Sequence, residues 1–544
     1  TNTSQMNNLL INNQTTEFKN QMQPLYSAQP KKSPQNQQPK DGKLEEPASV
    51  LQQFEKINVS KSFYSHFTAD LLEQVIVIFT QNLVLFIQLT YFGTPFFQNY
   101  VVSFCLFEIF STIIPKAISQ SAACAYQKKM LEEVNTDNQL LIPHFYSLFF
   151  ITLLQLGGIA AFQLLDHQFQ VAFMLKQIVT VFQLPVQMVY LLKAQQLVTW
   201  GTLVKTFQFL IYYFLVEFSF QFFKNSNFVF VLGDGKWADG VFTDSDGNVI
   251  ENIATTTWEG VSYAIATVLV AVLVSLAVLQ QKFIMKIKTR FEFKKDDFKI
   301  SKTVFKQILK QIVSHLQLVP TYLATPITFL YLNLNIKQNY QTANYEAVYP
   351  QLFTFLVVWH LQTVFATAAC DTFLGLAPAL FHTKRHKTIR KLLLMTILSF
   401  LVGSALLTAV FILVPGFIQI FIPSQFLAFS TFSQTVFKAA IIGAFSGFQQ
   451  LPFTFCVCAG YNFVSLAAGC IQIACGVLFV SMQQTTVGDG GDADMVIFYQ
   501  QICNSVLGAG MLAWIFIKLR TDFKVQKRVK KDRKKLTLQE ILGQ

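Results

Sequence analysis

The sequence predicts an all-α polytopic membrane protein, with twelve transmembrane helices in two six-helix lobes related by a parallel 6+6 repeat. Three observations carry that expectation. Of the 544 residues, 52% are hydrophobic and only 13% charged, with 57 Phe, whereas soluble domains carry about 25% charged residues. Apolar runs of roughly twenty residues or more recur along the chain, the length a helix needs to cross a hydrocarbon slab ~30 Å thick. Finally, Phe182-Gln183-Leu184-Pro185, leading into the apolar run that closes at Gln196, is echoed by Phe448-Gln449-Gln450-Leu451-Pro452, leading to Asn462. The echo divides the chain into two related halves.

Residues 1–60 are rich in Gln, Asn, Ser and Pro, a composition with too little apolar surface to offset chain entropy, so this extension is expected to be disordered on its own. Apolar runs follow near 70–92, 98–122, 144–165, 171–195, 199–223 and 259–281. Within the region 65–281 they make one lobe of six helices, the secondary structure that keeps backbone groups paired inside lipid. A basic linker covers 282–302, from Lys282 to Lys302. Six further runs, near 303–333, 350–380, 390–421, 432–460, 461–482 and 497–517, make the second lobe over 303–517, and a basic tail occupies 518–544.

Charge placement tests the count, because cytoplasmic loops hold the excess of Lys and Arg. With both termini on the cytosolic or matrix side, the even-numbered loops hold Lys128 and Lys129, the 282–302 linker, and the stretch from Lys384 to Lys391. All are basic. The long odd-numbered loops hold Asp234, Asp239, Asp244, Asp246 and Glu251, then Asp489, Asp492 and Asp494. The net charge of +12 is thus explained by topology, and nucleic-acid binding is not expected.

Several chemistries are excluded by pattern. No Walker loop, nucleophile elbow or HExxH motif is present, so the chain is not expected to be an enzyme or to use a cofactor. The eight cysteines make no paired CxxC array and read as buried apolar thiols. Asp244-Ser245-Asp246-Gly247-Asn248 opens like a calcium loop, but Thr255 stands where the bidentate Glu is required. An Asx-rich turn is the expectation there, with no metal.

The span order and repeat resemble the multidrug and toxic compound extrusion (MATE) transporter family, as a divergent member. Span four, with its proline and Lys193-Ala194-Gln195-Gln196 ending, is similar to that family's Pro-led helix. Its counterpart in span ten ends in Cys458-Ala459-Gly460-Tyr461-Asn462. The segments Ser119 to Tyr126, after span two, and Ala368 to Gly375, after span eight, match the family in kind and place. The resemblance covers roughly 65–517 and implies export of an organic or cationic solute in exchange for protons or sodium. It also implies a first-span acid, but the matching position is Gln88. A seventh-span Glu is replaced by the neighbourhood of His315 and Gln317, with no acid between Lys302 and Asn333. Coupling by the family's usual residues is therefore not implied.

An ionisable side chain at bilayer depth costs about 2.5–3.5 kcal/mol on insertion scales, so each needs a partner, a wet cavity or a function. Glu108 in span two and Glu217 in span five are the deepest acids, with Asp371 towards the cytosolic side of span eight. His315, His360, Lys193, Lys205 and Lys438 are the cations. Glu108, Glu217 and Asp371 are the expected cavity carboxylates, with His360, His315, Gln88 and Gln317 as further candidates. The expected surroundings are the lipid bilayer, a small-molecule solute and a coupling ion. The alternative reading is a transport-inactive accessory subunit of a larger membrane complex, with protein partners on residues 1–60. A lipid flippase is the third, and requires a strongly cationic cavity. A polar cavity between the lobes with Glu108 or Glu217 lining it favours transport; one plugged by Phe, or residues 1–60 lying on a neighbouring subunit, favours the accessory role.

Overall fold

The computed structural model describes residues 59–107, 167–179, 198–225, 236–238, 241–243, 249–250, 260–273, 301–317, 319–339, 345–423, 431–483 and 493–541, apart from 318 and 424–430 and with isolated positions elsewhere that include Gln120 and Cys124. The repeat block 182–196, Glu108, the calcium-like segment 244–248 and nearly all of the 282–302 linker lie outside the described residues, as does the 1–58 extension. The helices are α1 (Val59–Phe107), α2 (His167–Val179), α3 (Val198–Asn225) and α4 (Gly260–Leu273) in the first half. The second half holds α5 (Lys302–Leu316), α6 (Val319–Asn339), α7 (Tyr345–His382), α8 (His386–Leu413), α9 (Phe432–Ala444), α10 (Ser446–Ala459), α11 (Asn462–Gln483) and α12 (Ala493–Ile541). Among the described residues, six stretches are long and apolar enough to cross a membrane.

Four boundaries differ from the sequence expectation. The connection expected as a turn between 92 and 98 is itself helical in backbone, within the 49-residue run Val59–Phe107. The seventh run, expected as one span over 303–333, is two helices. Pro320, at the second position of α6, lacks the amide to continue α5 and would clash with the carbonyl four residues back. The ninth run stops at Leu413 rather than 421, because Pro415 starts a separate 3-10 turn, Pro415–Ile420. The twelfth does not end at 517: α12 continues as helix through the basic stretch to Ile541.

The all-helical expectation also has an exception in the loop 224–258. β1 (Lys236–Ala238), β2 (Val241–Thr243) and β3 (Val249–Ile250) form a small antiparallel sheet in the order β1-β2-β3. Ala238 pairs with Val241, and the sequence between them is Asp-Gly, the dipeptide that tight hairpins favour. Val241-Phe242-Thr243 supplies the β-branched and aromatic side chains that suit a strand.

The core is built around α7, which packs against α1, α8, α9 and α10. Phe353, Phe355, Val357 and Phe373 of α7 are wholly buried. Of its membrane-length window 78% is buried, against 28% for α8, so α7 is the central post and α8 a lipid-facing one. Leu394, Leu398, Leu406 and Leu413 of α8 are exposed, as a helix facing acyl chains requires. Two glycines set helix distances. A methyl on Gly469 of α11 would strike the backbone of Thr321 in α6, and one on Gly508 of α12 the carbonyl of Phe448 in α10. Small residues are what let membrane helices approach this closely.

Two intramembrane charges neutralise each other within each half. Lys205 of α3 lies 3.3 Å from the wholly buried Glu73 of α1. Lys438 of α9 lies 3.3 Å from Asp494 at the start of α12, which also accepts a 2.9 Å hydrogen bond from Thr435. Each of the two lysines thus has the partner that an ionisable side chain at bilayer depth needs.

Candidate functional site

The two halves meet along α1 and α7, and the contact is polar at one end. The Thr372 hydroxyl of α7 donates to Asp70 Oδ2 of α1 at 2.8 Å, and the Gln74 amide of α1 donates to Asp371 Oδ2 of α7 at 3.3 Å. Each helix therefore gives one donor and one carboxylate to the other. All four side chains are buried. Thr372 also faces its own helix's Ala368 carbonyl at 2.9 Å, so its single proton has two acceptors. Nearby, Gly375 approaches His66 so that an added methyl would sit 3.8 Å from its ring nitrogen. On another side of α1 the contact is apolar, with Phe79 edge-on to Phe421 at 5.1 Å.

Adjoining this contact is a cavity of about 320 Å³. α1 contributes Gln81, Asn82 and Leu85, and Gln120 joins them from the first half. α6 contributes Thr321, Tyr322, Thr325, Pro326 and Phe329. α7 contributes Trp359, His360, Thr367 and Asp371; α10 contributes Gln449, Gln450, Phe453 and Thr454; Gln472 and Asn504 come from α11 and α12. Tyr322 closes part of the wall by donating to Gln120 at 2.6 Å, and Thr367 donates to Gln450 at 3.2 Å. Among the described residues the wall holds one carboxylate, one imidazole, a row of side-chain amides and several aromatic faces, and no Lys or Arg. Such a surface hydrogen-bonds neutral solutes through the amides. It also favours cations, through Asp371 and the negative faces of Trp359 and Tyr322.

Structure comparisons decide the fold. A multidrug resistance MATE transporter of the MOP superfamily, in an outward-facing conformation, superposes with a TM-score of 0.64 at 11% identity, covering 88% of this chain and all of that one. A MATE in the bent conformation superposes at 0.62 and 12% identity, over 87% of this chain and 98% of that one. The chain has the MATE fold. A MOP superfamily transporter from Pyrococcus furiosus, described as having a binding pocket of reverse polarity that suggests a different function, superposes at 0.58 and 13% identity, over 86% and 98% of the two chains. No family model matches the sequence, and no curated protein matches it.

On this MATE fold the twelve-span, two-lobe architecture expected from sequence holds, and the expected site residues separate. Asp371 and His360 line the cavity. Glu217 lies on α3, half-buried, and is not part of the cavity wall. Gln317 sits at the joint between α5 and α6, also outside the wall. Gln88 and His315 fall within α1 and α5 but their side chains, like the whole of Glu108, lie outside the described residues. The segments that carried the resemblance do converge: 119–126 supplies Gln120, 368–375 supplies Cys370 and Asp371, and 448–462 supplies Gln449, Gln450, Phe453 and Thr454.

Sequence reasoning passed over Asp70, Glu73 and Gln74, which fell at the edge of the first apolar run. Their spacing of three and one was the available signal: at 3.6 residues per turn, residues at i, i+3 and i+4 share one helix face. It passed over Gln81 and Asn82 for the opposite reason, since uncharged amides inside an apolar run do not disturb it.

Proposed function

We propose that this protein is a secondary transporter that moves a neutral or cationic organic solute, with export in exchange for protons or sodium. One observation carries the reading: a cavity between the halves with a largely apolar wall set with a row of amides, whose charged wall residue among the described residues is Asp371, with no basic side chain among them other than His360. The volume of about 320 Å³ matches the lower end of small-molecule sites, ~300–1,000 Å³. Asp371 is hydrogen-bonded to Gln74 of the other half, so its ionisation or its occupation by a cation acts on a contact between the halves. A ligand that binds one arrangement of the halves better than the other shifts their equilibrium by that difference alone. Asp371 gives proton and solute cation a common point at which to do so. Alternating access is then a rocking of the halves about the α1–α7 contact. We place that contact towards the cytosolic side, because the Lys384–Lys391 stretch follows the same end of α7.

The flippase reading required a strongly cationic cavity, and the wall offers no Lys or Arg among the described residues. The accessory-subunit reading is favoured by a cavity plugged by Phe or by residues 1–60 on a neighbouring subunit; Phe329 and Phe453 are part of the wall but leave the space open, and residues 1–58 lie outside the described residues. The test is reconstitution in proteoliposomes, with ethidium as the solute and an imposed proton or sodium gradient as the driving force. Gradient-dependent movement that is lost in Asp371→Asn supports the proposal. Movement absent under both gradients, or unchanged in Asp371→Asn, overturns it.

A further inference from the structure

α5 is not a membrane-crossing helix, yet it is not a soluble one either. Its 15 residues reach only about 22 Å at 1.5 Å per residue, short of the ~30 Å slab. Phe305, Leu309 and Val313 are each 53% exposed and Leu316 45%. These positions, spaced by four, four and three, form one continuous stripe along the helix. Ile308, about a quarter turn round the helix from the centre of the stripe, is buried. Lys302, Lys306 and Lys310, again four apart, are exposed along the edge of the stripe, and the helix contains no acidic residue. An apolar stripe of this size left to water is costly, and the residue types on its border specify what covers it.

We propose that α5 is a docking surface for anionic lipid, lying in the plane of the membrane with Phe305, Leu309, Val313 and Leu316 among the acyl chains and its lysines at the headgroups. The occupant follows from charge and connectivity. Three lysines with no intervening acid complement a negative leaflet, where each basic residue near the surface adds to the attraction. The same three repel a second copy of α5. α6, reached after only Gln317 and Leu318, supplies Thr321 and Tyr322 to the cavity wall, so α5 is held at the level where a wall helix leaves the bilayer. Long lysine stems let the charges reach the headgroup plane while the neighbouring side chains stay in hydrocarbon. The composition of the leaflet thereby acts on the base of α6.

The test uses the full chain in nanodiscs of phosphatidylcholine alone or of phosphatidylcholine mixed with phosphatidylglycerol, with amide hydrogen exchange read over 302–316. Exchange is expected to be at least about tenfold slower in the anionic discs. The slowing is expected to disappear in Lys302→Gln/Lys306→Gln/Lys310→Gln and to survive in the matching triple Arg variant. Phe305→Ser/Leu309→Ser should exchange rapidly in both lipids. All of these positions are exposed, so the fold is retained and is checked by unchanged exchange in α7. Equal exchange in the two lipid compositions overturns the proposal. So does protection that appears only with two copies per disc, or only when another protein is bound.

Discussion

Asp371 and Asp494 are both buried carboxylates on helices of the second half, and they are handled in opposite ways. Asp494 is 1% exposed, lies 3.3 Å from Lys438 and accepts from Thr435. Its charge is cancelled inside its own half. Asp371 is 6% exposed, faces a cavity, and is met at 3.3 Å by an amide, Gln74, from the other half; among the described residues no cation lies within ion-pair distance of it. A compensated charge in lipid holds structure. One left to an amide and a cavity is available to an exchanging ion or solute, and in this chain that availability is tied to the contact between halves.

The largest effect is expected where compensation is broken. Lys438→Met leaves Asp494 without its cation and should cost on the order of 3–5 kcal/mol, whereas Lys438→Met/Asp494→Leu should recover most of it. Thermal unfolding of the purified protein in detergent reads both. If the single variant melts like the wild type, the distinction between the two acids fails.

At Asp371 the expectation reverses, with function lost and stability kept. Asp371→Asn should lower gradient-driven transport by at least about tenfold, within the range of coupling free energies, while the melting temperature stays within a few degrees because an amide fills the same space. Comparable losses in Asp371→Asn and Asp494→Asn would remove the contrast.

The smallest effect belongs to Gln74→Leu. A net hydrogen bond is worth about 0.5–1.5 kcal/mol, so the closed contact should weaken by a factor of roughly two to ten. Accessibility of Cys458 to a thiol reagent measures that shift.

Legibility from sequence followed the strength of the physical signal. Apolar runs and the alternation of basic and acidic loops are long-range and redundant, and they gave the span order that the MATE fold bears out. Helix ends were missed where a single residue decides them: Pro320 and Pro415 divide runs that hydropathy reads as continuous, and Gly93-Thr94-Pro95 fails to divide one. The site was half legible. Asp371 and His360 stood out as ionisable residues within apolar helices. Asp70 and Glu73 did not, because an acid about three or four turns inside α1 looks like the polar rim of a span when the start is placed near residue 70 rather than at Val59. The amide wall was visible residue by residue, but which of the many Gln and Asn face one space depends on helix rotation and on contacts between distant segments, which periodicity does not encode.

α12 leaves the bilayer as it crossed it, in one unbroken helix. Its apolar window ends at Thr521 while the helix runs to Ile541, a further 20 residues and about 30 Å at 1.5 Å per residue. A flexible tail of that length would wander around its anchor. A rod instead sets a standoff, so anything that engages the chain near Ile541 is held at a fixed height and bearing relative to the helix that contributes Asn504 to the cavity, and a turn of the rod at one end is a turn at the other.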